Sequence, residues 1–214
     1  MVDPMVAAGS CLGGPLSSSS SHSPDFSSSA DIPRPEQLRL RFYPDPFLNC
    51  GCRPLGPPDD SVRACIERMF ELMYEHQGIG LAAPQVGWDA RVFVLNVTAS
   101  EQPPGEQWIF IDPEIELSAE SRGPLETGDE GCLSLPGIRL DVERHSSIIV
   151  RAIGFDGEPF ELEAEGLLAR CIQHEVDHLD GILIPSRVSS DQRVAIKGAL
   201  LELEQQWQQG ECGP

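Results

Sequence analysis

The chain has 214 residues, 40% of them hydrophobic, which is enough for one globular domain with a substantial core and appended tails. Its 15 Lys+Arg against 34 Asp+Glu give a formal charge of −19, a field that repels phosphate backbones and anionic lipid and so argues against direct nucleic-acid or membrane-surface binding. Seven cysteines, an odd number without the density of a secreted disulfide scaffold, point to a reducing, cytoplasm-like compartment; no apolar run approaches the roughly 20 residues that span a bilayer.

Residues Met1 to Ser10 contain no Lys or Arg and carry Asp3 and Pro4, unlike a signal peptide, which needs a basic start and an apolar core of about 7–15 residues. The Ser-rich run from Ser17 to Ser29 has little acid, as transit peptides do, but the first arginine is Arg34. Residues 1–35 therefore read as a disordered tail, unable to bury enough apolar area to offset its ordering entropy, with a targeting segment as the alternative. Residues 36–210 are the expected folded domain.

Beyond Pro35, Leu38, Leu40, Phe42, Tyr43, Phe47 and Leu48 among prolines predict an extended segment laid on a core. Asp59, Asp60 and Ser61 offer caps to a first helix in which Val62, Cys65, Ile66, Met69, Leu72 and Met73 recur at spacings of three and four, with Gly78 as its stop. Arg91 to Val97, Trp108 to Ile111 and Ser147 to Gly154 predict strands. Asp156-Gly157 then predicts a hairpin into Pro159 to Ala164. A second helix is expected from about Glu165 to Leu179, with Leu167, Leu168, Cys171, Ile172, Val176 and Leu179 apolar and Gly181 ending it. A third helical pattern runs from about Asp191 to Gln208 through Val194, Ile196, Leu200, Leu201, Leu203 and Trp207. Strands that do not alternate with helices predict an α+β fold, antiparallel sheets packed around the second helix, with an additional C-terminal helix.

His174-Glu175-Val176-Asp177-His178 is an H-E-x-x-H pattern inside that central helix. Residues four apart project from one face about 6 Å apart along the axis, so both imidazoles can reach one metal ion. Glu175, turned about 100° away, can reach a water on that ion as a general base. Leu167, Cys171, His174 and His178 form one stripe, which turns the rings toward the core, where they need a metal or hydrogen-bond partners. A catalytic site usually has three protein ligands and an open position. Cys132, in Glu130-Gly131-Cys132-Leu133-Ser134, is one candidate for the third; Cys171, His76 and His145 are others. The run Gly78-Ile79-Gly80-Leu81-Ala82-Ala83-Pro84-Gln85 lets a ligand approach the backbone closely and ends in an amide able to donate to an oxyanion, though alone it reads equally as a connecting turn.

These three segments together resemble the peptide deformylase family, whose motifs GφGφAAxQ, EGCLS and HExxH (φ apolar) stand here, in the family's order, as GIGLAAPQ, EGCLS and QHEVDH. The likeness covers about Arg39 to Pro185. It implies that Cys132, His174 and His178 hold the metal and that Glu175 handles protons. It also implies that the Gln85 side chain and the Leu133 backbone N–H stabilise the oxyanion, and that Gly80, Gly131 and Arg139 lie by the substrate. The implied activity is removal of the formyl group from the N-terminal methionine of nascent proteins, with N-formyl-methionyl peptides as partners and transient ribosome proximity.

Ligand chemistry alone would suggest zinc for such a set. The family resemblance implies ferrous iron, Fe2+, with zinc, nickel or cobalt able to substitute. Methionine preference is expected from an apolar pocket including Ile79, Leu168, Cys171 and Ile172. A monomer in the cytoplasm is expected, or in an organelle if the tail is a transit segment. Two rivals share the motif: a zincin-like metallopeptidase, which needs a different third ligand, and a structural metal site, which needs a fourth.

Overall fold

The computed structural model describes residues 32–99, 105–116 and 122–210, so the expected N-terminal tail lies almost wholly outside the described residues, as do Cys11 and Cys212. Asp59 caps helix α1 (Asp60–Glu75) by accepting the Val62 N–H at 2.9 Å. The predicted apolar positions of α1, with Phe70, are all buried. Its end differs from the expectation placed on Gly78. Gln77 takes the left-handed conformation (φ 57°), and the Gly78 N–H closes onto Met73 O at 2.8 Å. Gly78 instead lets Leu133 lie close, since a Cβ there would meet Leu133 Cδ1 at 2.8 Å.

Seven strands follow: β1 (Gly80–Ala82), β2 (Val92–Leu95), β3 (Trp108–Ile115), β4 (Leu125–Gly131), β5 (Arg139–His145), β6 (Ser147–Ile153) and β7 (Pro159–Glu165). Five form an antiparallel sheet in the order β1-β2-β3-β6-β7, and β4 pairs with β5 in a separate two-stranded sheet. Both faces of the larger sheet are covered. Val92, Val94 and Ile111 pack with α1, while Phe93, Leu95, Phe110, Ile148 and Val150 pack with helix α2 (Gly166–Leu179). That two-sided burial explains why β2 reads as a continuous apolar run.

Strand β4 was not expected, because Glu130 is its one buried residue and its one large apolar residue, Leu125, is exposed. In β5, Leu140, Val142 and Arg144 alternate inward. The hairpin, with Leu48, Leu135, Ile138, Leu183, Ile184, Val188 and Leu203, encloses a third core cluster.

Helix α2 contacts β1, β2, β5, β6 and β7, and so is central, as predicted. Gly181 stops it with φ 72°. The predicted stripe holds for Cys171, His174 and His178, but Leu167 is 53% exposed and lines the cleft described below. The single C-terminal helix is two, α3 (Ser190–Ala195) and α4 (Lys197–Gln209), joined at Ile196. The break turns α4 so that Leu203 is buried with Ile196, Ala199 and Leu200 packed beside it, leaving Val194, Leu201 and Trp207 exposed.

Candidate active site

Three segments converge at the middle of α2. The turn after β4 presents Cys132, held by a Leu135 N–H to Cys132 O bond of 3.0 Å. The 3-10 turn Ala83–Val86 after β1 presents Gln85. The α2 face presents His174 and His178, their rings edge to face with centroids 4.9 Å apart. One ligand atom each of Cys132, His174 and His178 lies within 4.8 Å of the others, and Cys132 Sγ is 3.3 Å from His178 Nε2.

The other sulfur and imidazole candidates do not join that cluster. Cys171 is buried against the sheet, and burial, then the Glu175 charge, push its thiol up to about 12, as for an inert core cysteine. His145 Nδ1 lies 2.8 Å from Gly123 O, and His76 ends α1 at the cleft rim.

A thiolate and two imidazoles suit a divalent transition ion, and three protein ligands leave an open position. Burial, then the neighbouring His174, hold His178 well below the usual imidazole range, in the neutral form a ligand needs. For His174, burial acts in the same direction, but its hydrogen bonds with Cys132 and Glu130 outweigh it, leaving a proton that a cation would displace. Glu130 Oε2 lies 2.9 Å from His174 Nδ1, which turns Nε2 toward the sulfur. The residues present fit the ion.

Glu175 is 4% exposed and adjoins Gly80 so closely that a Cβ there would fall on its Oε1. Its Oε2 has no hydrogen-bond partner among the described residues. Burial pushes its carboxyl up to about 7, with His174 pulling down and Glu130 pushing up. Gln85 is oriented by its own turn: Oε1 accepts the Ala82 N–H at 2.8 Å, so Nε2 faces Ser134 Oγ at 3.2 Å and Cys132 Sγ at 3.6 Å.

Gly80, Gly131, Leu133 and Arg139 line a cleft of about 710 Å³ with Gln85, Cys132, His174 and Glu175. Arg139 is mostly exposed and donates to Asp129 Oδ2 at 2.6 Å, lying across Gly131. The expected side-chain pocket needs correction. Leu168 and Ile172 pack between α2 and the sheet, and Leu167 and Arg170 join Ile79 and Cys171 on the cleft wall.

Sequence reasoning missed the ions behind the site. Glu130 and Arg144 form a bidentate pair at 3.0 and 3.1 Å, and Arg144 also reaches Asp177 Oδ2 at 2.6 Å. Arg187 closes on Asp177, and Arg170 donates to Glu130 Oε1 at 2.9 Å. Burial alone would raise Glu130, but the hydrogen bonds to His174 and Arg144 bring it down to about 2. The available signal was the alternation of β5, which places Arg144 inward after Leu140 and Val142 and so demands a buried acid.

Set against known proteins, residues 37–194 match the family described as polypeptide deformylase. The chain is 44% identical over 169 residues to a peptide deformylase of Alkalilimnicola ehrlichii, covering 79% of this chain and 92% of that one. It is 46% identical over 151 residues to one of Acidobacterium capsulatum, covering 71% and 86%. Among solved structures, a peptide deformylase 1B of Arabidopsis thaliana with an inhibitor superposes with a TM-score of 0.74 at 34% identity, covering 83% of this chain and 96% of that one. A peptide deformylase of Synechococcus elongatus in complex with actinonin gives 0.70 at 38% identity, covering 81% and 91%.

Proposed function

The chain belongs to the polypeptide deformylase family, and we propose on that premise that it hydrolyses the formyl group from the N-terminal formyl-methionine of nascent proteins, releasing formate. The observation that carries the reading is the convergence of Cys132, His174 and His178 within 4.8 Å beside the buried carboxylate of Glu175.

A divalent ion held by these three residues supplies a Lewis acid that eases deprotonation of the attacking water. Glu175 takes the proton from that water and returns it to the departing amine nitrogen. Its burial and contact with Gly80 keep it in one place. Gln85 Nε2, its carbonyl end committed to Ala82, donates to the developing oxyanion, with the Leu133 backbone N–H as second donor. Gly80 and Gly131 let the peptide backbone approach, and Arg139 reaches it from the rim.

Ferrous iron is the proposed ion; zinc, nickel and cobalt suit the same donors. A thiolate ligand makes such an ion a softer Lewis acid and opens the site to oxidation. The substrate partners are N-formyl-methionyl nascent peptides, met near the ribosome without nucleic-acid contact. Support for the last point is the charge of −19 and a Ser186–Pro214 segment with three basic against four acidic residues. One chain supplies every group named, which supports a monomer. Cys52, Cys65, Cys132 and Cys171 form no disulfide among the described residues, which supports a cytoplasmic or organellar reducing compartment. No described helix is long and apolar enough to cross a membrane.

No histidine follows His178, which disfavours the zincin-like alternative, and the described Cys/His group has three members where a structural zinc site has four. Anaerobically purified protein given a formyl-methionyl peptide should release formate in proportion to its metal content. Internal peptide cleavage without formate would support the metallopeptidase instead.

A further inference from the structure

Arg170 stands on α2 one turn before His174 and lines the cleft beside Leu167 and Cys171. Its Nη1 donates to Glu130 Oε1 at 2.9 Å and Val142 O at 2.8 Å, and its Nη2 donates to Glu126 O at 2.7 Å. These acceptors, from β4 and β5, fix the plane of the guanidinium. Gly128 makes the placement possible. A Cβ there would lie 2.7 Å from Cζ, 2.8 Å from Nη2 and 2.9 Å from Nε, so one face of the group rests flat on the glycine. Two N–H groups remain, the second on Nη2 and the one on Nε; Nε has no hydrogen-bond partner among the described residues, and it is not among the buried atoms that lack one. It therefore opens to solvent, on a side chain that is 16% exposed.

We propose that Arg170 is a specificity-determining residue, whose Nε–H receives an acceptor atom on the first side chain of the substrate, against a wall otherwise made by Ile79, Leu167 and Cys171. The proposal rests on the deformylase reading of the cleft. Under that reading the formyl group lies at His174 and Glu175, and one helical turn away is where the first side chain reaches. The arginine stem offers apolar surface to methylene groups, while the guanidinium is a permanent donor that cannot give up its proton. An unbranched side chain with an acceptor near its end satisfies both. The methionine thioether does so weakly, its sulfoxide strongly, and norleucine, of similar shape but with no acceptor, not at all. Seating norleucine leaves a charged donor unpaired, which should cost about tenfold in kcat/KM.

The test compares kcat/KM for formyl-methionyl, formyl-norleucyl and formyl-(methionine sulfoxide) peptides on the wild-type protein, Arg170→Leu and Gly128→Ala. A ratio of two substrates measured on one preparation is unaffected by metal loading or folded fraction. Any loss of metal or of folded protein that follows from breaking the Arg170 bond to Glu130 therefore drops out of the comparison. Gly128→Ala keeps the charge but displaces the guanidinium, and answers the question if Arg170→Leu fails to fold. The wild type should favour the sulfoxide over norleucine by about tenfold, and the preference should collapse toward unity in the variants. Wild-type turnover with the same ratio in the variants overturns the role of Arg170 while leaving the deformylase reading in place. No formate from any of the three peptides overturns both.

Discussion

Glu130 Oε2 lies 2.9 Å from His174 Nδ1, so a carboxylate two residues before Cys132 clamps the loop that carries the thiol to the helix that carries the imidazoles. The clamp is itself held: Arg144 grips Glu130 with two donors and reaches Asp177, next to His178. All three of these charged side chains are at most 8% exposed. A buried ion chain of this kind is costly to break from one end, because each remaining charge loses its partner.

The acid limb of stability should report this clamp. The Glu130 carboxyl lies at about 2 against an ordinary 4.5, so its folded value is depressed and its contribution is present above the ordinary value. That contribution is lost as pH falls through the window from 4.5 toward 2. Denaturant unfolding of the metal-free protein should show the wild type weakening across this window more steeply than Glu130→Gln. Parallel curves for the two proteins would remove Glu130 from the account.

Gly80→Ala should damage chemistry more than folding. The new Cβ would fall on Glu175 Oε1, and a displacement of about 1 Å at a proton-transferring group can cost about 10²-fold in rate. Steady-state formate release should drop by that order while metal content stays near wild type. Undiminished turnover would mean that the carboxylate has freedom the packing denies it.

Helix α4 is tied to the site wall through Tyr43, whose hydroxyl donates to Glu204 Oε1 at 2.7 Å and whose N–H donates to Ser134 O at 2.9 Å. Burial, then Glu204, push the Tyr43 hydroxyl up to about 12, so it remains a donor across the working range. Tyr43→Phe should cost about 1 kcal/mol in equilibrium unfolding. The double variant with Glu204→Gln should cost less than the sum of the single ones. Additive losses would show that the contact contributes nothing.

Much of this architecture is readable locally. Asp59 announces α1, Asp156-Gly157 announces the β6–β7 hairpin, and His174 with His178 declares its shared face by spacing alone, because each is set by residues a few positions apart. What stayed hidden depends on distant partners. β4 has no apolar pattern since its buried member is Glu130, satisfied by Arg144 from β5 and Arg170 from α2. The break at Ile196 accompanies the packing of Leu203 into the third core cluster, and the exposure of Leu167 accompanies its place on the cleft wall; neither is written in the periodicity of the helix concerned. Likewise the cleft wall takes Arg170 in place of Ile172, because Gly128, on another strand, leaves room for it.

The central claim is that Cys132, His174 and His178 hold the ion while Glu175 moves the proton, and Glu175→Gln separates the two tasks with little change of shape. Metal analysis and formate release measured on the same anaerobic preparation should show wild-type metal content with turnover of a formyl-methionyl peptide reduced about 10²- to 10⁴-fold. A variant that keeps both its metal and its turnover would contradict the account.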